Sequence, residues 1–270
     1  MWDSRWTLRI GRRLIQIYAI AAAVILAYPT VQLFIVAASD DIVFPPRYFS
    51  LDAFDPDRLP ALLEWMPFSI ALGLATTAVL LALAIPMCYA TQRMHFRGRA
   101  VADAAVFLPV IIPSVGYMVA LGTAYILFFP DLIGSFWGIL LPVVVGNVVW
   151  MVRAISSSLS VTDPAYEDAA LMLGASRIRA FFTITLPAIM PGIAVGSMVT
   201  FANSATAFTA PFFLGRTTAQ TATVGIFNEL ARSSLIPRLA AEALVVELIV
   251  MVLVVAAYIM ARSRFRGLII

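Results

Sequence analysis

The sequence is poor in charge and in the residues that carry catalytic or metal chemistry. Among its 270 residues there is no lysine, one cysteine (Cys88) and one histidine (His95), and only 12% are charged, against about 25% in a soluble domain. A single cysteine excludes an intramolecular disulfide framework, and a lone histidine does not favour a metal site. We expect Cys88 to be a small buried residue and His95 a polar residue at the cytoplasmic face.

Two further absences bear on enzymatic function. The chain has no G-x-x-x-x-G-K-[S/T] phosphate loop, so we expect no nucleotide site in it. No histidine or cysteine is placed to form a nucleophile–base pair, so we predict that this chain is not an enzyme.

Apolar residues dominate what is present. They make up 62% of the chain, which is implausible for one water-soluble core of this size. Six apolar runs are each long enough to cross about 30 Å of hydrocarbon at about 1.5 Å per residue. The first is too long for a signal peptide and is interpreted as a retained helix. The predicted fold class is all-α, a polytopic membrane protein with six transmembrane helices. The runs cover 14–38, 68–90, 101–128, 136–155, 183–208 and 240–261.

The basic residues orient these runs. All 18 are arginine; 13 flank one side of the runs and five flank the other. Because positive residues favour the cytoplasmic side, both termini are predicted to be cytoplasmic. Membrane topology explains the basic balance, so no nucleic-acid partner is predicted. The predicted organisation is a cytoplasmic segment 1–13, a transmembrane domain 14–262 with a long cytoplasmic loop 158–182, and a cytoplasmic tail 263–270.

Prolines interrupt two of the runs. Pro109 and Pro113 lie in the third run, and Pro187 and Pro191 lie near the start of the fifth. Each removes a backbone donor and frees a carbonyl one turn back. Bent helices around a cavity suit a transporter, and ordinary packing kinks are an equal alternative.

The predicted outer loop, 39–67, concentrates acidic residues. It is either a solvated loop or an acidic rim that faces a delivery protein or attracts cations. The acidic residues are Asp40, Asp41, Asp52, Asp55, Asp57 and Glu64.

The loop between the fourth and fifth runs predicts a short helix of about ten residues. Asp163 suits the N-cap, Pro164 the first helical position and Gly174 the end. An apolar stripe at i, i+3, i+4 and i+7 suits a groove on another protein or the headgroup layer of the membrane. The stripe is formed by Tyr166, Ala169, Ala170 and Leu173.

A longer motif distinguishes these two alternatives. Asp168-Ala169-Ala170 is followed by three residues and Gly174, then by nine residues and Ile184-Thr185-Leu186-Pro187. This pattern resembles the Glu-Ala-Ala, Gly, Ile-x-Leu-Pro signature of permease subunits of binding-protein-dependent type I ABC importers. Asp stands where the signature has Glu, and Glu167 precedes it directly. The resemblance extends over about residues 65 to 262.

The resemblance implies partners and a role for the short helix. In that family the helix couples the permease to two copies of a separate ATPase, which bind ATP and Mg²⁺, so no cofactor is expected in this chain. It also implies an inner-membrane location, a second related permease and a periplasmic substrate-binding protein. A heterodimer is favoured, because importers of the polyamine class usually pair two different permeases. The residues to which the coupling role is assigned are Tyr166, Glu167, Asp168, Ala169, Ala170, Leu173 and Gly174.

The segment 201–215 is similar to the end of the fifth span in spermidine/putrescine-type permeases. That similarity favours a polyamine or a related organic amine, with an aminophosphonate or an amino-acid derivative as alternatives. In several of those permeases an acidic residue stands where this chain has Ala207. We expect Glu242 to be solvated near the outer end of the sixth run. The predicted pathway residues are Asn203, Ser204, Thr206, Thr209 and Glu247.

Two other classes of membrane protein remain as alternatives. An ion-coupled secondary transporter would show inverted repeats and midplane charges, of which Glu247 is the one candidate. A non-transporting membrane scaffold would bind no ATPase through residues 163–174.

Overall fold

Twelve α-helices make up most of the part of the chain that the structure describes. The computed structural model describes residues 4–39, 48–55, 60–216, 218–232 and 236–265. Within these ranges it has no β-strand, only an isolated antiparallel bridge between Ser39 and Phe49, which confirms the all-α class. The helices are α1 (Ser4–Ala37), α2 (Pro60–Arg93), α3 (Arg99–Ala105), α4 (Leu108–Ile111), α5 (Ser114–Phe128), α6 (Phe136–Ser160), α7 (Ala165–Met172), α8 (Arg177–Ala180), α9 (Leu186–Ala205), α10 (Thr209–Leu214), α11 (Ala222–Leu230) and α12 (Ile236–Phe265).

Long apolar helices correspond to the predicted spans. Across the described ranges, five helical stretches are long and apolar enough to cross a bilayer, and one sharply bent pair makes a sixth if it counts as a single span. Five of the six predicted runs are therefore found as long helices, and the third is found as the bent pair, which supports a multi-pass membrane protein. The five stretches are Arg12–Ala37, Glu64–Arg93, Phe136–Ser160, Arg177–Leu214 and Ile236–Ile259.

The third run is interrupted rather than bent within one helix. Arg99–Ile111 and Ser114–Phe128 meet at 98°. Between them Ile112 is extended, with φ −77° and ψ 127°, because a following proline disfavours the α conformation at the preceding residue. In the fifth run Pro187 is the second residue of α9, which follows directly on the helical residues before it and continues through Pro191 to Ala205.

Residues 61–228 and 246–270 form one compact unit. Among its described residues, a core of buried apolar side chains lies between α2, α6 and α9. The prediction that Cys88 is a small buried residue is confirmed, since it is fully enclosed in this core. Residues from the three helices that pack here are Leu80, Ala84, Cys88, Met151, Ile155, Leu159 and Ile189.

Two glycines on α9 allow it to approach α6 closely. A Cβ on Gly192 would meet the carbonyl oxygen of Ala154, and a Cβ on Gly196 would lie 2.9 Å from the sulfur of Met151. Without water to drive helices together, spans in a membrane associate through close packing of small residues at such positions. The α6–α9 pair is thus closely packed at these two positions.

Residues 1–60 and 229–245 form the other unit. At the end of α1, Ala37 packs with Ala240 and Ala241 of α12. Arg238 forms ion pairs with Glu242 at 3.0 Å and with Glu229 at 3.1 Å. Glu242 is completely buried, so the prediction that it is solvated is wrong: the ion pair with Arg238 makes its burial possible.

The acidic outer loop is described only in part. Asp52, Asp55 and Glu64 are exposed, and a 3-10 turn covers Asp52–Phe54. Asp40, Asp41 and Asp57 lie outside the described residues, as do the ends of the predicted segments 1–13 and 263–270.

Candidate functional site

The short helix predicted in the fourth loop is α7, and local contacts define its start. It spans eight residues, Ala165–Met172, slightly fewer than the sequence predicts. The Oδ1 of Asp163 accepts a hydrogen bond from the Ala165 N–H at 2.9 Å, so Asp163 caps the free donors as predicted. Glu167 and Asp168 lie in the first turn, where the helix dipole favours negative charge.

The end of α7 is a Schellman motif built on Gly174. The Ala175 N–H donates to the Ala170 carbonyl at 3.0 Å, and the Gly174 N–H donates to the Leu171 carbonyl at 3.0 Å. Gly174 has φ +89°, a left-handed conformation that side chains disfavour, although a Cβ there would meet no atom within 4 Å. The requirement for glycine is therefore one of backbone conformation, not of space.

Glu167 is buried beneath α7 and has three partners. The Tyr89 hydroxyl donates to its Oε2 at 2.9 Å, and the Thr185 hydroxyl donates to its Oε1 at 2.6 Å. The Nε of Arg93 lies 3.4 Å from Oε1, an ion pair without hydrogen-bond geometry. Burying a carboxylate is costly unless it is paired in this way.

We call the contacts of Glu167 with Tyr89, Thr185 and Arg93 the joint. Arg93 connects this joint to the end of α6. Its Nη2 donates to the carbonyl of Thr162 at 2.6 Å and to that of Leu159 at 3.4 Å. The neighbouring Gln92 donates to the Ser156 carbonyl at 3.1 Å. The carboxyl end of α2 is therefore joined to α6, to α7 and to the start of the next span.

A π-helical turn, Phe181–Thr185, lies between α8 and α9. Such turns are rare and are often found at functional sites. This one ends at Thr185, which contacts Glu167, and the ring of Phe181 packs edge-to-face on Tyr89 at 5.2 Å. Sequence reasoning did not predict this turn or the roles of Tyr89 and Arg93. No signal in the sequence locates them, because the burial of Glu167, which requires such partners, is visible only in the structure.

The opposite face of α7 is exposed and largely apolar. Tyr166, Ala169 and Leu173 of the predicted stripe are exposed, whereas Ala170 is half-buried. Asp168 is exposed as well, and Met172 adds to the apolar surface. The residues assigned to coupling thus divide into an outward apolar face and an inward carboxylate, Glu167.

The structure does not bring the predicted pathway residues onto one face. Asn203 and Thr206 are exposed, Ser204 is buried, and Thr209 begins α10 after a break in the helix. Glu247 is exposed on α12, with no arginine within 4 Å among the described side chains. Three buried hydroxyls, on Thr76, Thr200 and Ser204, have no hydrogen-bond partner in the described part of the chain.

No cluster of three histidine, cysteine or acidic residues that could hold a metal ion occurs among the residues searched, which are the described ones. His95 is exposed in the turn after α2.

Residues 82–266 match the family model described as "Binding-protein-dependent transport system inner membrane component". Three relatives show what the chain is similar to. The molybdenum transport system permease protein ModB of Escherichia coli K12 is 35% identical over 154 residues, covering 52% of this chain and 67% of that protein. The molybdate/tungstate permease WtpB of Pyrococcus abyssi is 28% identical, covering 53% and 57%. The sulfate permease CysT of Salmonella typhimurium is 28% identical, covering 47% and 50%.

Solved structures with the same fold come from a bacterial ABC transporter that imports alginate. One matches with a TM-score of 0.66 at 17% identity, covering 96% of this chain and 99% of that one. The other, in complex with an alginate pentasaccharide-bound periplasmic protein, matches with a TM-score of 0.67 at 17% identity, covering 97% and 99%. At this identity the likeness concerns the fold alone.

Proposed function

We propose that this chain, which belongs to the family of binding-protein-dependent transport system inner membrane components, forms half of the import pathway for a tetrahedral oxyanion such as molybdate, tungstate or sulfate. The observation that carries the substrate class is the similarity to ModB, supported by WtpB and CysT, all named for such oxyanions. None of these three relatives is named for a polyamine, so the polyamine preference has no support from them. Ala207 is consistent with this choice, because a dianion needs no carboxylate on its path.

Neutral donors suit an oxyanion better than carboxylates do. The exposed amide of Asn203 on α9 is the donor that this proposal retains. The exposed hydroxyl of Thr206, just after α9, donates to the Ala202 carbonyl at 2.8 Å and would serve only if that bond is exchanged. Glu247 would repel a dianion, so on this proposal it faces a partner subunit rather than the pathway. Ser204 is buried and contributes only if the helices move.

Coupling to a separate ATPase would use α7. Its exposed apolar face, formed by Tyr166, Ala169 and Leu173, is suited to a groove on that subunit. Glu167 then transmits the displacement, because its contacts to α2 and to Thr185 make α7 move with both spans as one body. Glu167 is therefore a positioning residue, and Gly174 ends the helix that moves.

The complete importer would contain two such permeases, two ATPase copies and a periplasmic binding protein in the inner membrane. The preference for a heterodimer depended on the polyamine class. Because the relatives are named for oxyanions, that preference no longer holds. The second permease of the importer is then either another copy of this chain or a related permease.

Leu173→Asp tests the coupling proposal. Leu173 is 89% exposed, so a charge there should not affect folding but should enter the ATPase groove. We expect co-purification of the co-expressed ATPase subunit to weaken about 30-fold, as when an interface residue worth about 2 kcal/mol is lost. The control is Val161→Asp, which is 85% exposed and lies outside α7. Equal effects of the two variants, or no ATPase bound to the wild type, would reject this role of α7.

ATPase activity of the reconstituted complex tests the substrate class. With its binding protein present, we expect molybdate, tungstate or sulfate to stimulate ATP hydrolysis and putrescine to leave it at the basal rate. Stimulation by putrescine alone would reject the oxyanion proposal and leave the coupling role of α7 intact.

A further inference from the structure

A cavity of about 570 Å³ lies between the end of α2 and the start of α8 and the π-helical turn that follows it. Its polar lining comes from Tyr89, Arg93 and Arg177. Arg93 is the last residue of the stretch Glu64–Arg93, and Arg177 is the first residue of Arg177–Leu214. Both arginines thus lie at the ends of apolar helical stretches, on the side that the arginine distribution predicts to be cytoplasmic, and we place them beside the lipid headgroups.

The cavity retains one uncompensated positive charge. Arg93 is matched by Glu167 at 3.4 Å. Arg177 is exposed and has no carboxylate within 4 Å among the described residues. An unpaired guanidinium with several donors is suited to a phosphate group.

The remaining lining is apolar, and this decides between two sources of an anion. Ile85, Ile178 and Phe182 are among the side chains that form the walls, and Ile178 and Phe182 are exposed. A free oxyanion would need a cage of N–H donors, whereas a phospholipid brings a phosphate for the arginine and an acyl chain for the walls. We propose that this cavity binds an anionic phospholipid. Its phosphate group contacts Arg177, and the part of an acyl chain nearest the headgroup packs against the apolar wall.

This site is separate from the proposed coupling surface. The exposed face of α7 carries no residue of the cavity lining. The proposal depends on the chain spanning a membrane and not on which substrate it transports.

Native mass spectrometry of the full chain tests this site. The protein is released from nanodiscs that contain equal amounts of phosphatidylglycerol and phosphatidylcholine, and the ratio of the two retained lipids is measured. We expect the wild type to retain phosphatidylglycerol preferentially, and Arg177→Gln to lower that preference about fivefold, the effect of one basic residue near an anionic surface. Arg177→Lys should keep most of it.

Arg179→Gln is the matched control. Arg179 is exposed and lies two residues away, but it does not line the cavity. Its variant should change the lipid ratio less than twofold. An unchanged ratio in Arg177→Gln, or an equal loss in both variants, would overturn the proposal. Displacement of phosphatidylglycerol by millimolar sulfate or molybdate would assign the cavity to a free oxyanion and would also overturn it.

Discussion

Thr185 and Thr200 are the same residue type in the same span, and both are completely buried, yet their hydroxyl groups differ. The Thr185 hydroxyl donates to Glu167 at 2.6 Å. The Thr200 hydroxyl has no partner among the described residues, and the same holds for Thr76 and Ser204. Leaving a buried polar group unsatisfied costs about 1–3 kcal/mol. One region of the unit therefore has its polar groups paired within the chain, and another does not.

The difference separates a joint from a region suited to rearrangement. Around Glu167, hydrogen bonds connect α2, α7 and the start of the fifth span, so these parts should move together. Around Thr200 the hydroxyls add no stability to this conformation. Three substitutions test the two halves of this comparison.

Glu167→Ala should have the largest effect. It leaves the charge of Arg93, whose side chain is only 11% exposed, without its carboxylate, and it removes the acceptor of the Tyr89 and Thr185 hydroxyls. Breaking a buried pair costs about 3–5 kcal/mol, and we expect a loss of about 3 kcal/mol in the free energy of unfolding, measured by denaturant titration in detergent. Asp168→Ala, its exposed neighbour, should change the value by less than about 0.5 kcal/mol. Similar losses in both variants would show that Glu167 is not a joint.

Thr185→Val should have the second-largest effect, with a smaller loss in the free energy of unfolding than Glu167→Ala. It keeps the size of the side chain but removes a hydrogen bond to a charged group, worth about 1.5–3 kcal/mol. The same titration measures it. Thr183→Val is the control, since Thr183 is exposed and its hydroxyl bonds only to the Arg179 carbonyl one turn back. If Thr185→Val is as stable as the control, the hydrogen bond from Thr185 to Glu167 at 2.6 Å contributes nothing to stability. Thr185 and Thr200 would then not differ in the way proposed.

Much of the fold follows from the sequence because it depends on local rules. Apolar length predicts the spans, and Asp163 and Gly174 mark the boundaries of α7 to within a few residues. Proline chemistry predicts an irregular third run, although the 98° turn at Ile112 and Pro113 also depends on what packs around it.

The joint beneath α7 could not be predicted in the same way. Tyr89 is 78 residues from Glu167 along the chain, so no short motif connects them. An acidic residue early in an amphipathic helix suggests solvent, yet Glu167, Ala170 and Leu171 form a second i, i+3, i+4 face that points inward. Both faces are compatible with the sequence, and only the neighbouring spans decide which one is buried. Glu242 differs, because its partner Arg238 lies one turn away on the same helix: that pairing is visible in the sequence, and only the burial of Glu242 depends on the neighbouring helices.

Thr200→Val should have the smallest effect on the free energy of unfolding, and we expect the change to be zero or stabilising, opposite to that of Thr185→Val. The substitution is the same as at Thr185, and Thr200 is equally buried, but here it replaces an unpaired hydroxyl with a methyl group of similar shape. Removing an unsatisfied buried group is neutral or stabilising, so the free energy of unfolding should stay the same or rise by up to about 1 kcal/mol. A loss of stability equal to that of Thr185→Val would mean that Thr200 is bonded in the folded chain, and the two regions would no longer differ.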